Sequence, residues 1–160
     1  MAEIKVTLPD ESIRSLPEGS TGEDLAADIG RSLAKAAVAL NVNGETKDLS
    51  ESLSDGDSVS VVTQDTEDGL YVLRHSTAHV LAQAVLGIWK GATYAIGPPI
   101  KDGFYYDFEL PDGDTFTEDD LKNIEKRMNE SIKQDQHFER CEISSEEALK
   151  LFGDHRFKKE

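Results

Sequence analysis

"AVALNVNGETKDL", Ala37 to Leu49, sets a β-branched run against a polar one with Asn43-Gly44 between them. Asn-Gly supplies the two left-handed backbone positions of a tight hairpin turn, so the stretch predicts two antiparallel strands. Upstream, "STGEDLAADIGRSLAKA" opens with Ser/Thr and carries acids in its first turn. It then spaces Leu25, Ala26 and Ile29 as a helix does, and Gly30 is the expected stop. Farther back, "EIKVTLP" alternates Ile4, Val6 and Leu8 with Lys5 and Thr7, a half-buried strand, and "SIRSL" can pair back on it. Downstream, "SDGD" reads as a turn and "SVSVVT" as a closing strand.

Strand, strand, helix, strand, turn, strand within residues 1–63 is the order of a ubiquitin-like β-grasp, which indicates a fold and no function. "QDTEDG", Gln64 to Gly69, is a polar, turn-rich connection and the expected domain boundary, leaving residues 64–160 as a second unit. That unit opens with a predicted helix from about Leu70 to Trp89, with Leu73, Val80, Leu81, Val85 and Trp89 available for burial. "GATYAIGPPIKDGFYYDFEL" reads as two strands turned at Lys101-Asp102-Gly103. Thr117 with Asp120 starts a helix running to about Lys133, with Leu121, Ile124 and Met128 on one stripe. "HFERCEI" is a candidate strand, and Ser144 with Glu147 opens a short helix through Phe152. The expected class is α+β, with the second unit read as an incomplete domain because "HRFKKE" closes no core.

Hydrophobic content of 38% with 31% charged residues fits a globular protein. No apolar run approaches the roughly 20 residues that cross a bilayer, and "MAEIKVTLPDES" has no signal-peptide pattern. Cys141 is the single cysteine, which excludes an internal disulfide and suits a reducing, cytoplasmic setting. The net charge of −15 repels phosphate, so a general nucleic-acid binder is excluded. Any RNA contact is local or supplied by other parts of a larger protein.

"RHSTAHVLAQAV", Arg74 to Val85, places His75 and His79 four apart on the predicted helix, hence on one face. The zinc-protease motif shares this spacing but needs Glu after the first histidine, and Ser76 stands there, so that class is excluded. Two histidines need at least one more ligand to hold zinc, and Cys141, His137 and His155 follow in no ligand-like spacing. Spacing alone leaves packing, metal binding and catalysis open.

Taken together, the segments resemble the N-terminal region of bacterial-type threonyl-tRNA synthetase, over essentially the whole chain. Residues 1–63 resemble its TGS module, through "LAADIGRSLAKAAVALNVNGE". "LRHSTAHVLAQAV", "AIGPPIKDGFYYDFEL" and "IEKRMNE" follow in the order found at the start of its editing domain. The resemblance implies hydrolysis of serine from mischarged seryl-tRNA(Thr). Serine lacks only a methyl relative to threonine, a difference worth about 1–3 kcal/mol or roughly 10–200-fold in one pocket, so a second sieve is needed.

The resemblance further implies catalytic roles for His75, His79 and Lys158, the last in Phe157-Lys158-Lys159-Glu160, and substrate contacts for Tyr106 and Asp107. A histidine would activate water, Lys158 would bind the ribose or meet developing negative charge, and Tyr106 would position the substrate. By pattern alone Tyr106 is equally a packed strand aromatic, Asp107 equally the solvent face of a strand, and Lys158 a solvated lysine. The family's Cys-x3-His element is expected beyond residue 160. Cys141 does not supply it, because Ser144 and Ser145 stand third and fourth after it.

No metal or other cofactor is implied for this segment; ATP with Mg and a Zn ion belong to the full enzyme's catalytic domain. The implied partner is the acceptor end of tRNA(Thr) carrying serine, with no membrane, and homodimerisation through domains outside this chain. Because that element is missing, weak or absent editing by these residues alone is expected. A TGS-type RNA or protein interaction module and a free-standing aminoacyl-tRNA editing hydrolase remain as alternatives.

Overall fold

The computed structural model describes residues 2–136 and 141–153. The chain divides into two compact units, Met1–Leu73 and Arg74–Glu160.

In the first unit, β1 (Glu3–Thr7) pairs antiparallel with β2 (Ile13–Pro17), setting Ile4 opposite Leu16. Strand β3 (Ala37–Val42) is flanked by β4 (Glu45–Lys47) and β5 (Val59–Thr63), both antiparallel to it. The parallel bridge Thr7–Ser58 sets β1 beside β5, so the strands run in the order β2-β1-β5-β3-β4. The Thr7 N–H donates to the Asp57 carbonyl at 2.8 Å across that junction. The Asn43-Gly44 turn has φ of 54° and 90°, the left-handed pair that matches hairpin twist. Asn43 also ties the turn to β5, its Nδ2 donating to Asp57 at 2.7 Å and its Oδ1 accepting from the Ser58 N–H at 2.9 Å.

Helix α1 (Gly22–Ile29) starts at Thr21, whose hydroxyl accepts from the Asp24 N–H while the Asp24 carboxylate accepts from the Thr21 N–H. This reciprocal cap satisfies donors that the first helical turn leaves open. Gly30 ends α1 as expected, but the chain continues directly into a second short helix, α2 (Arg31–Ala36). Leu25 carries α1 onto a core of Ile4, Val6, Leu16, Leu40, Val42, Leu53 and Val59.

Helix α3 (Glu67–Ile88) begins three residues earlier than the sequence predicts. Thr66 caps it, accepting from the Gly69 N–H at 3.1 Å. Gly69 reads as a breaker in the sequence, yet it serves close packing. A Cβ there would lie 1.9 Å from the Thr63 carbonyl oxygen.

In the second unit, β6 (Thr93–Tyr94) pairs with β9 (Phe108–Glu109), and β7 (Pro99–Ile100) with β8 (Gly103–Phe104). The two strands expected here are therefore one hairpin whose ladder is split into a base and a tip. Pro98 and Pro99 have no N–H to donate, which breaks the ladder between them. A 3-10 turn (Pro111–Gly113) leads to α4 (Glu118–Lys133), and α5 (Ser145–Leu151) follows. Both helices carry the expected capping boxes, Thr117 with Asp120 and Ser144 with Glu147.

This unit's core consists of Ala84, Val85, Ala92, Leu110 and Ile124, with Leu81, Leu86, Trp89, Phe108 and Met128 packed around it. Two expectations about burial are corrected. Leu73 is exposed and Leu121 is 58% exposed, while the small side chains Ala78 and Ala82 are buried instead. Part of the expected strand, residues 137–140, lies outside the described residues. Cys141, Glu142 and Ile143 are all exposed and form no strand, having no buried face to hold one.

Candidate functional site

His75 and His79 sit one turn apart on α3, both exposed. Their Nε2 atoms are 2.9 Å from each other and their rings meet edge-on, centroids 4.7 Å apart. A contact this short requires one nitrogen to carry hydrogen and the other to offer its lone pair. The amphipathic helix thus brings two acid–base groups to one point, as the i,i+4 spacing predicts.

A cleft of 370 Å³ opens beside His79, lined also by Gln83, Leu86, Tyr94, Tyr106 and Gln136 among others. Tyr106 lies between β8 and β9 and is half-buried. Its ring packs against Phe108, centroids 4.9 Å apart, and edge-on against Tyr94 at 5.9 Å. Burial raises the Tyr106 phenol above its ordinary range, and the neighbouring Tyr94 phenol adds to the rise. Gly97 gives the ring its seat. A Cβ on residue 97 would lie 2.6 Å from Tyr106 Cγ.

Of the residues expected at a site, His79 and Tyr106 line one cleft, and His75 meets His79 beside it. Asp107 is not among the residues lining the cleft; its backbone pairs with Ala95 and Ile96 and its side chain is exposed. Lys158 lies outside the described residues, as do Phe157, His137 and His155. Among the described residues no three His, Cys, Asp or Glu side chains converge as a metal cage requires. Among them, too, no helix is long and apolar enough to cross a membrane.

Sequence reasoning missed Gln83, Tyr94 and Gln136. Gln83 follows His79 by four residues, so the stripe His75–His79–Gln83 was available as a signal. Gln136 follows α4 with no pattern to single it out, and it reaches Gln83 by a hydrogen bond of 2.9 Å across 53 residues.

Comparison with known proteins adds to this geometry. Residues 4–63 match the TGS domain family. The chain is 47% identical over 152 residues to the threonine–tRNA ligase of a Geobacter species, covering 95% of this chain and 24% of that protein. The threonine–tRNA ligase of Marinobacter nauticus is 48% identical over 151 residues, covering 93% of this chain and 23% of that protein. For Acidithiobacillus ferrooxidans the figures are 49% over 147 residues, 92% and 22%. The chain thus spans about a quarter of the length of the curated relatives it matches. With a TGS domain at its start, it is similar over nearly all its length to the N-terminal region of threonyl-tRNA synthetases.

Proposed function

We propose that this chain is the TGS and editing region of a cytoplasmic threonyl-tRNA synthetase, and that the cleft beside His79 hydrolyses the serine ester of mischarged tRNA(Thr). The observation that carries the reading is the 2.9 Å contact between the two histidine nitrogens, with His79 and the Tyr106 phenol lining one cleft.

In this reaction a water oxygen bonds to the ester carbonyl carbon and the bond from that carbon to the ribose oxygen breaks. A histidine of the pair takes a proton from the water, and the pair returns a proton to the departing ribose oxygen. Tyr106 donates its hydroxyl to the bound acyl group. Lys158 is assigned to the ribose or to the negative charge that develops on the carbonyl oxygen. Asp107 is given no step, because its exposed side chain does not line the cleft. The TGS unit is assigned no chemistry.

The test is single-turnover hydrolysis of seryl-tRNA(Thr) and threonyl-tRNA(Thr) by the chain, with His79→Ala alongside. Serine-selective hydrolysis that the substitution lowers by on the order of 10²-fold or more is expected for the loss of a general base. Hydrolysis that is indifferent to His79 would sink the assignment and leave a non-catalytic interaction module.

A further inference from the structure

We propose that the Gln83–Gln136 amide pair is the wall that limits how large an acyl group the cleft accepts; this rests on the editing reading above and names the residues that set its selectivity. Gln83 Nε2 donates to Gln136 Oε1 at 2.9 Å, and Gln136 Nε2 donates in turn to Gln134 Oε1 at 2.7 Å. The three amides form a directional chain in which each bond polarises the next. A glutamine on an exposed helix face normally samples many rotamers. Here the chain of donors fixes Gln83 to the segment that follows α4.

The position of this pair gives it a function. Gln83, Gln136 and Val80 line the main cleft, and the same three line a second hollow of 160 Å³ completed by Ser131, Ile132 and Asp135. The amide pair therefore stands between the two spaces, one helical turn beyond His79. While it is closed, an acyl side chain in the cleft meets a barrier. Removing either amide side chain joins the hollow to the cleft and admits the additional methyl of threonine.

The experiment measures binding of hydrolysis-resistant, amide-linked seryl-adenosine and threonyl-adenosine to the chain by calorimetry, for wild type, Gln83→Ala and Gln136→Ala. Wild type is expected to prefer the seryl compound by about tenfold or more, and each substitution to tighten threonyl binding by about that factor while leaving seryl binding within about twofold. The two variants lie on different segments, and thermal melting reports whether each is folded. Unchanged selectivity in both folded variants overturns the wall. The editing reading survives that result if the wild-type chain binds the seryl compound and hydrolyses seryl-tRNA. Failure of the wild-type chain to bind either compound overturns both.

Discussion

The ring of Tyr106 rests on the backbone of Gly97, so close that a single methyl group cannot be placed between them. Gly97→Ala must therefore push the phenol away from its seat. A displacement of about 1 Å at a positioning group costs on the order of 10²-fold in rate, and a loss of that size is expected for seryl-tRNA hydrolysis. Site-resolved NMR titration checks the cause independently, because a ring pushed toward water should ionise closer to its ordinary range than the wild-type ring.

The raised Tyr106 phenol also fixes the sign of a stability effect. Its folded-state pKa lies above the ordinary value of 10.0, because burial disfavours the charged form. The folded state therefore holds its proton longer. The contribution is present below pH 10 and is lost as pH rises through the folded value. Urea titrations between neutral pH and strongly alkaline pH should show a decline in the second unit that Tyr106→Phe reduces; an identical decline in the variant would refute the assignment.

Gly22 opens α1 directly above Leu40, which is fully buried. A Cβ on residue 22 would stand 2.1 Å from Leu40 Cδ1, in a core with no space to yield. Gly22→Ala is expected to destabilise the first unit by about 1–3 kcal/mol through overpacking, despite the better helix propensity of alanine. Chemical denaturation followed by a probe in residues 1–63 measures this.

Asp48 accepts from both the hydroxyl and the backbone N–H of Ser50, at 2.7 and 2.8 Å. The Ser50 hydroxyl, then its N–H, holds this carboxyl below the usual range, so the charged form is the one the fold favours. The resulting stability is present above the ordinary value of 3.8 and is lost as pH falls through the lower folded value. Asp48→Asn should flatten the acid limb of the first unit's stability curve, as read by melting temperature at stepped pH.

The features legible in the sequence are those decided within a few residues. The Asn43-Gly44 turn, the Thr117–Asp120 and Ser144–Glu147 caps and the alternation of Ile4 and Val6 each follow from local backbone chemistry, and each appears in the fold. Burial depends on what arrives from elsewhere. Leu73 and Leu121 carry the right hydropathy yet face water, while Ala78 and Ala82, unremarkable in a periodicity, are buried. At the site, the histidine pair was readable from its spacing. Gln136 was not, since its role exists only where the end of α4 meets α3. Gly97 precedes Pro98 and Pro99 in the sequence, and its closeness to Tyr106 emerges only when the hairpin folds.

Residues 75 and 79 carry the same side chain, yet the hydrogen between them makes them different reagents. The ring that donates from Nε2 is the donor of the couple, and the ring that receives carries its own hydrogen on Nδ1 and is the acceptor. Moving one hydrogen across 2.9 Å, with a compensating shift at Nδ1, exchanges the titles without moving a heavy atom. One turn of helix thus holds both tautomers of one side chain, and the identity of each is written by the proton and not by the sequence.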